Sequence, residues 1–194
     1  MKQTFGLILA FGALAGVGCG GEEDDCTGAV IEQSTTALQF GSLAIGGARN
    51  VQGDLSLPES RTVFLKNRCG APLVVRKACL IENGHDGDAN VAAFSREYEP
   101  GLDLPISVSP AKDTAIRLTF DVDTPNTDLS DNGEPDFNRS SLVVFYNASN
   151  SAAIAIPVCG RAIESVDEAS AGSGPCELPN DFDASAIDES ICGD

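Results

Sequence analysis

Apolar and polar residues alternate through the middle of the chain, and this alternation predicts β-strands. The clearest run spans residues 116–122, in which apolar residues occupy every even-numbered position. Successive side chains of a strand point to opposite faces, so this run is typical of a strand with one buried face. Residues 61–66 and 73–81 are predicted to form two further strands, separated by a turn at residues 67–72 that contains Gly and Pro.

Three other segments refine this prediction. Residues 142–146 are all apolar, which is typical of a strand covered on both faces. Residues 154–159 also predict a strand, but Pro157 lacks an N–H group and therefore indicates a sheet edge or a bulge. In residues 38–45, Gly41 interrupts the alternation and predicts a bulge.

These short strands, separated by Gly, Pro and Asn, predict an all-β fold. Helical spacing is sustained nowhere after the first eighteen residues. An Ig-like β-sandwich normally takes about 100 residues, and residues 27–163 hold one such domain with long acidic loops. We predict a signal peptide at residues 1–18, an acidic tether at 19–26, the sandwich at 27–163 and a largely irregular acidic tail at 164–194.

The start of the chain has the layout of an export signal. Lys2 precedes an uncharged apolar run at residues 5–17, which is too short to span a bilayer. Cys19 follows at once, and four acidic residues come after it at 22–25. A small residue and a cysteine at this point resemble the bacterial lipoprotein lipobox. That resemblance implies a diacylglycerol on Cys19 and cleavage that makes Cys19 the new N-terminus.

The lipobox match departs from the family pattern at Gly16, where the family prefers Leu. The alternative is ordinary cleavage after Ala15, at an A-x-A site, which would release a soluble protein. The chain has seven cysteines, and an odd thiol in an exported protein needs an explanation. Lipidation of Cys19 leaves an even set of six and therefore favours the lipoprotein.

Charge excludes some partners. The formal net charge is −17, which argues against binding nucleic acid or anionic lipid through electrostatic attraction. Nine acidic residues and no Lys or Arg follow Arg161. This composition, with the small residues of 169–175, predicts a disordered or loosely held tail.

Several segments resemble, in order, the Hydin-type (ASH) and choice-of-anchor D domains. They are residues 38–46, 63–67 and 71–75, then Phe94, the strand 116–120 and the closing segment 158–162. The resemblance implies an Ig-like sandwich that serves as a scaffold or interaction module, with no catalytic residues. The chain departs from the pattern at Cys69 and in a long acidic insertion after Val122.

Few residues suggest catalysis. His85 is the only histidine, which excludes a His-pair metal site and any two-histidine mechanism. Serines such as Ser95, Ser140 and Ser141 do not lie in Gly-x-Ser-x-Gly or Ser-x-x-Lys. Exported cysteines tend to be paired, so a cysteine nucleophile is not expected either. We therefore predict that the protein is not an enzyme.

The acidic loop at residues 121–136 is the most suggestive stretch for a metal, because Ca²⁺ selects closely spaced oxygen ligands. Asp128 and Gly133 match positions one and six of an EF-type loop, but Arg139 stands where the bidentate Glu is needed. No cofactor is predicted, with Ca²⁺ as the alternative. The candidate ligands would be Asp121, Asp123, Asp128 and Asp131.

The remaining cysteines are disulfide candidates: Cys26, Cys69, Cys79, Cys159, Cys176 and Cys192. The first pairing predicted is Cys176–Cys192, because both lie in the tail and would close a short loop. For the other four, Cys79–Cys159 and Cys69–Cys79 are competing possibilities.

These observations predict a lipid-anchored protein of the bacterial cell envelope, periplasmic or on the outer surface. It would act as a non-enzymatic scaffold or protein-interaction module. The expected partners are the membrane, through the N-terminal lipid, and another envelope protein, but not nucleic acid. The alternatives are a Ca²⁺-dependent adhesin and, less favoured, a secreted hydrolase.

Overall fold

The computed structural model describes residues 28–45, 57–82, 91–98, 103–126, 137–148, 152–164, 176–178 and 182–193. Within these residues the chain forms nine β-strands and three 3-10 turns, with no α-helix. The strands are β1 (Ile31–Gln33), β2 (Leu38–Ala44), β3 (Glu59–Asn67), β4 (Leu73–Ile81), β5 (Phe94–Tyr98), β6 (Ile106–Val108), β7 (Asp113–Phe120), β8 (Asn138–Tyr146) and β9 (Ala153–Ile163). The 3-10 turns are Val91–Ala93, Ala184–Ala186 and Glu189–Cys192.

The strands form two sheets. One has the order β1-β3-β7-β5 and the other β2-β9-β8-β4-β6. Neighbouring strands are antiparallel, except that β2 runs parallel to β9. The four-stranded order corresponds to A-B-E-D of an Ig domain, and β4-β8-β9 corresponds to C-F-G. The prediction of an all-β, Ig-like sandwich is therefore confirmed by the strand order itself.

The core lies between the inner faces of the two sheets. On β7, Ile116, Leu118 and Phe120 are buried, while the residues between them are more exposed, as the alternation predicts. Phe120 stacks on Phe94 with ring centroids 5.1 Å apart and lies 5.7 Å from Phe40. This aromatic cluster joins the two sheets, because β2 belongs to one sheet and β5 and β7 to the other.

The predicted bulge in β2 is confirmed. The register between β2 and β9 shifts between Gln39 and Gly41, and Gly41 has a φ of +73°. A residue without a Cβ adopts this left-handed conformation at little cost, which explains the glycine at this position.

The expectation that Pro157 marks an edge strand is wrong for β9 as a whole. β9 lies between β2 and β8, inside the five-stranded sheet. Pro157 pairs with Ser141 of β8, but the ladder with β2 begins one residue later, at Val158. The missing N–H group is tolerated because β9 has only one neighbouring strand at this point.

The apolar run in β8 is buried on both faces, as predicted. Leu142 and Val144 belong to the central core, whereas Val143 and Phe145 belong to a second cluster on the outer face of the five-stranded sheet. Phe182, Ile187 and Cys192 of the C-terminal tail pack on this second cluster. The tail is thus a third layer, and the prediction that it is loosely held is wrong for its described residues.

Candidate functional site

Two disulfide bonds attach the tail to the five-stranded sheet. Cys79 of β4 bonds to Cys192, with Cα atoms 5.4 Å apart, and Cys159 of β9 bonds to Cys176, with Cα atoms 5.7 Å apart. Disulfides of this kind persist in oxidising compartments, so they indicate an extracytoplasmic location.

These bonds correct the predicted pairings. The Cys176–Cys192 pairing is wrong, because each tail cysteine bonds instead to a cysteine of the sheet. Cys79–Cys159 is wrong because each of these cysteines bonds to the tail, and because β8 lies between their strands, which alone separates them by two strand spacings, about 10 Å or more. Bridged Cα atoms must lie within about 7 Å of each other.

Cys69–Cys79 is also wrong, since Cys79 is already bonded to Cys192. Cys69 is disulfide-bonded as well, to a partner outside the described residues. The lipidation candidate Cys19, the disulfide candidate Cys26 and the histidine His85 all lie outside the described residues.

Polar contacts also hold the tail in place. Lys77 Nζ donates to the carbonyl of Gly193 at 2.7 Å, and Arg76 forms an ion pair with Glu189 at 3.0 Å. Asp183 and Asp188 each cap a 3-10 turn by accepting the backbone N–H of the residue two positions later.

Both capping carboxylates have lowered pKa values. The pKa of Asp183 lies below its ordinary 3.8 because its carboxylate accepts the hydroxyl and then the backbone N–H of Ser185. The pKa of Asp188 is lowered by the backbone N–H and then the hydroxyl of Ser190. Hydrogen bonds to the ionised form favour that form, which accounts for both directions.

The metal candidates are only partly placed by the structure. Asp121 and Asp123 lie exposed just beyond the end of β7, and Asp128 and Asp131 lie outside the described residues. Among the residues that are described, no group of three or more His, Cys, Asp or Glu side chains is placed to hold a metal ion.

Asn126 closes the base of the acidic loop. Its backbone N–H donates to the carbonyl of Ala162, and its side-chain oxygen accepts the N–H of Ala162, both at 2.8 Å. The same oxygen accepts the side-chain amide of Asn138 at 2.8 Å. Both ends of the loop are therefore tied to the start of β8 and the end of β9.

The serines considered as nucleophiles are separated in the fold. Ser140 and Ser141 are fully buried on β8, and Ser140 Oγ donates to the carbonyl of Ile81 at 3.1 Å. Ser95 is exposed on β5, in the other sheet.

The outer face of the four-stranded sheet carries a groove of about 310 Å³. Phe64 of β3 stands beside it with 46% of its surface exposed. The groove is lined by Thr62, Phe64, Glu97, Tyr98, Asp113, Thr114, Ala115 and Arg117. It follows the first residues of β7 and reaches the last two residues of β5, Glu97 and Tyr98.

A second depression, of about 250 Å³, lies at the corner where the chain passes from β6 to β7. Asp113 and Thr114 line both depressions, so the two meet at the start of β7. Thr114 is 3% exposed, and its hydroxyl has no hydrogen-bond partner among the described residues.

Sequence reasoning did not find this groove, although one signal was present. In the alternating segment of β3, Val63 and Leu65 fill the buried positions, and Phe64 stands between them at a position that should be polar. Aromatic residues are enriched at protein interfaces, so a Phe on the solvent side of such a strand is a candidate contact residue.

In the described part of the chain, no helix has the length and apolar character needed to cross a membrane.

No family model matches this sequence, and no curated protein matches it either. Solved structures do resemble the fold at low identity. A protein of unknown function from Porphyromonas gingivalis W83 is 14% identical, with a TM-score of 0.45, over 69% of this chain and 46% of that one. The ASH / PapD-like domain 7 of human CEP192 is 13% identical, with a TM-score of 0.41, over 70% and 86%.

The Pseudomonas aeruginosa CupB2 chaperone is 15% identical, with a TM-score of 0.40, over 70% of this chain and 59% of that one. This chain therefore spans less than half of the Porphyromonas protein and about three fifths of the chaperone. All three likenesses are distant, and the fold assignment rests on the strand order described above.

Proposed function

We propose that this chain is a lipid-anchored cell-envelope or surface protein whose Ig-like domain acts as a non-enzymatic scaffold and protein-interaction module. The observation that carries the proposal is the difference between the two outer faces of the sandwich. The tail covers the outer face of the five-stranded sheet and is bonded to it by two disulfides. The outer face of the four-stranded sheet carries the exposed Phe64 and its groove.

Cysteine pairing supports the lipid anchor. Cys79, Cys159, Cys176 and Cys192 are used in the two bonds to the tail, and Cys69 is also disulfide-bonded. Of the seven cysteines, Cys19 and Cys26 are left, and one of them must pair with Cys69. One thiol is then available, and the lipobox-like sequence places the lipid on Cys19. The proposal therefore requires the third bond to be Cys26–Cys69.

The anchor is tested by metabolic labelling with an alkyne palmitate analogue in a bacterium that processes lipoproteins. Labelling of the full-length protein is expected to be lost in Cys19→Ser and retained in the matched variant Cys26→Ser. Membrane fractionation should show the same difference. Absence of label in the wild-type protein, or its persistence in Cys19→Ser, would rule out the anchor.

The interaction role is tested by photocrosslinking in intact cells. Among the described residues, Phe64 and Ile191 are the exposed large apolar side chains, at 46% and 45%, and they lie on opposite outer faces. Placing benzoylphenylalanine at position 64 is expected to give discrete protein adducts, whereas position 191 should give none. Equal adducts from both positions, or none from either, would contradict the proposal.

A further inference from the structure

The chain enters the sandwich at one particular end. Ile31, the first residue of β1, pairs with Asn67, the last residue of β3. One position further, the backbone N–H of Arg68 donates to the carbonyl of Val30 at 2.9 Å. The residues that lead into β1 therefore lie at the end of the sandwich where β3 turns into β4.

Two further connections lie at the same end. β7 starts beside the end of β3, and the N–H of Ala111 donates to the carbonyl of Asn67 at 3.0 Å. Asn147, which follows β8, accepts the N–H of Val74 through its side-chain oxygen at 2.7 Å. These connections form one surface, which we call the near end: residues 67–73, 109–112 and 147–148.

The near end contains no acidic residue, although the net charge of the chain is −17. Its three segments contain Arg68 and Lys112 and no Asp or Glu. The acidic residues that border it face cations, since Glu32 forms an ion pair with Arg68 and Asp113 lies opposite Lys66. The near end is therefore neutral to slightly cationic.

The opposite end carries the acidic loop. Phe120, the last residue of β7, pairs with Glu59, the first residue of β3, so the loop at residues 121–136 starts at that end. The loop contains six acidic residues and no Lys or Arg. Charge is thus separated along the length of the sandwich, with these acids at one end and the entry to β1 at the other.

The proposed anchor limits how the domain can turn. The Cys26–Cys69 bond of the proposed function holds Cys26 at the near end, and Cys19 precedes it by seven residues. Seven residues reach at most about 25 Å. The nine residues of β3 give the sandwich a height of about 30 Å. A domain standing on its acidic end would hold Cys26 beyond the reach of this tether.

We propose that the near end faces a lipid surface, held there by the short tether, and that the acidic end is directed away from it. Charge favours the same orientation, because anionic headgroups attract Lys and Arg and repel carboxylates within about 10 Å. The outer face that carries Phe64 then stays clear of the lipid. The inference rests on the proposed lipid anchor and adds the surface of the domain that meets the membrane.

The orientation is tested by energy transfer from a single tryptophan to labelled lipid. The chain has no Trp, so an introduced one reports only its own position. Ser109→Trp places it at the near end and Thr124→Trp at the acidic end, and both residues are exposed. Each full-length lipidated variant is reconstituted into phosphatidylcholine and phosphatidylglycerol vesicles with a small fraction of dansyl-labelled headgroups. Transfer is expected to be several times stronger from position 109 than from position 124.

Two further variants serve as controls, each combined with either Trp. Cys19→Ser removes the proposed lipid and should abolish transfer from both positions. Inserting about twenty Gly and Ser residues after Gly21 should remove most of the difference between the positions, because a long flexible linker lets the domain turn. The palmitate label confirms lipidation of the Trp variants and of the long-linker variants.

Equal transfer from the two positions, or stronger transfer from position 124, in protein that carries the lipid would overturn the orientation and leave the anchor standing. The full difference retained with the long linker would overturn the role of the tether. Absence of the palmitate label from the wild-type protein would contradict the anchor and, with it, this inference.

Discussion

Gly160 shows why a single small residue is needed in β9. A Cβ atom at this position would lie 2.7 Å from two carbon atoms of the Phe120 ring. The ring cannot move away easily, because Phe120 is fully buried and packs between Phe40 and Phe94. Glycine at this position therefore allows the two sheets to approach through the aromatic cluster.

We predict that Gly160→Ala destabilises the fold by about 1–3 kcal/mol through overpacking. Urea unfolding followed by circular dichroism measures the change. Gly70→Ala is the matched control, since no atom lies within 4 Å of its Cβ position, and its free energy of unfolding should change little. A Gly160→Ala variant as stable as the Gly70→Ala variant would show that the Phe120 ring can relax.

Asn67 is a fully buried polar residue that joins three parts of the chain. Its side-chain amide donates to the carbonyls of Ala71 and Val108, at 2.8 and 3.0 Å. Its side-chain oxygen accepts the backbone N–H of Cys69 at 3.2 Å. These bonds fix the turn between β3 and β4 against the edge strand β6.

Removing the side chain leaves two carbonyls and one N–H without these partners. We expect Asn67→Ala to cost about 3 kcal/mol or more, since each buried unsatisfied group costs about 1–3 kcal/mol. Ser107→Ala, an exposed change on β6, is the control and should cost almost nothing. Thermal unfolding should show a much lower melting temperature for Asn67→Ala than for Ser107→Ala. Equal melting temperatures of the two variants would contradict the role assigned to Asn67.

The roles of some single residues could be predicted from the sequence, and the roles of others could not. The bulge at Gly41 follows from local pattern, because a glycine interrupts an alternating run. The roles of Asn67 and Gly160 depend on groups that are distant in sequence, such as Val108 and Phe120. The ASH resemblance included these two positions, but only the packing gives their physical reason.

At the scale of elements, the predicted strands correspond to β2, β3, β4, β7, β8 and β9. The sequence did not reveal β1, β5 and β6, which have three to five residues. Runs this short contain too few alternations to be recognised, and their pairing with longer strands decides their structure. The tail was misjudged for a related reason, since its acidic composition obscured the few apolar residues that dock it.

The tail should loosen in acid. Asp183 and Asp188 have lowered pKa values, so their caps stabilise the turns fully above about pH 4 and lose that effect as the pH falls through the lowered values. We predict titration midpoints below 3.8 for both carboxyl carbons by NMR, with faster amide exchange at Ser185 and Ser190 at still lower pH.

Ser185→Ala is the matched control for this titration. It removes the hydroxyl that contributes most to the lowered pKa of Asp183, so it should raise the midpoint of Asp183 and leave that of Asp188 unchanged. A midpoint at or above 3.8 in the wild-type protein would mean that the caps are not formed in solution.

The two described disulfides should differ in their contribution to stability. Cys79–Cys192 closes 113 residues and Cys159–Cys176 closes 17. The chain-entropy relation gives about 5 and about 3 kcal/mol respectively. We therefore expect the double variant Cys79→Ser/Cys192→Ser to lose more stability in urea than Cys159→Ser/Cys176→Ser.

The same two double variants also test which cysteines are bonded to each other. Peptide mapping without reduction should recover one peptide pair for each bond, and each double variant should remove only its own pair. A peptide joining Cys176 to Cys192 would contradict the arrangement described here.

At the scale of the whole molecule, the acidic loop is held at its base by protein contacts. Asn126 and Asn138 hydrogen-bond to each other, and Arg139 lies in β8, paired with Cys159. The last position of an EF-type loop would therefore fall inside a strand, on a cationic residue, where it cannot supply the bidentate carboxylate.

We accordingly predict that Ca²⁺ has little effect on stability. Melting temperatures with millimolar Ca²⁺ and with a chelator should agree within about one degree. A rise of several degrees with Ca²⁺ that is lost in Asp128→Ala would favour the adhesin alternative.

The Cys79–Cys192 bond also has a mechanical consequence. A pulling force applied to the chain beyond Cys192 passes directly to β4, because the bond is covalent. The segment that the bond closes, a sequence separation of 113, then cannot contribute to the stretched length. At roughly 3.3–3.6 Å per extended residue, on the order of 400 Å of chain is withheld until the bond is reduced. Under tension, the segment between Cys79 and Cys192 therefore stays closed in a loop, and it can extend only where the surroundings reduce the bond.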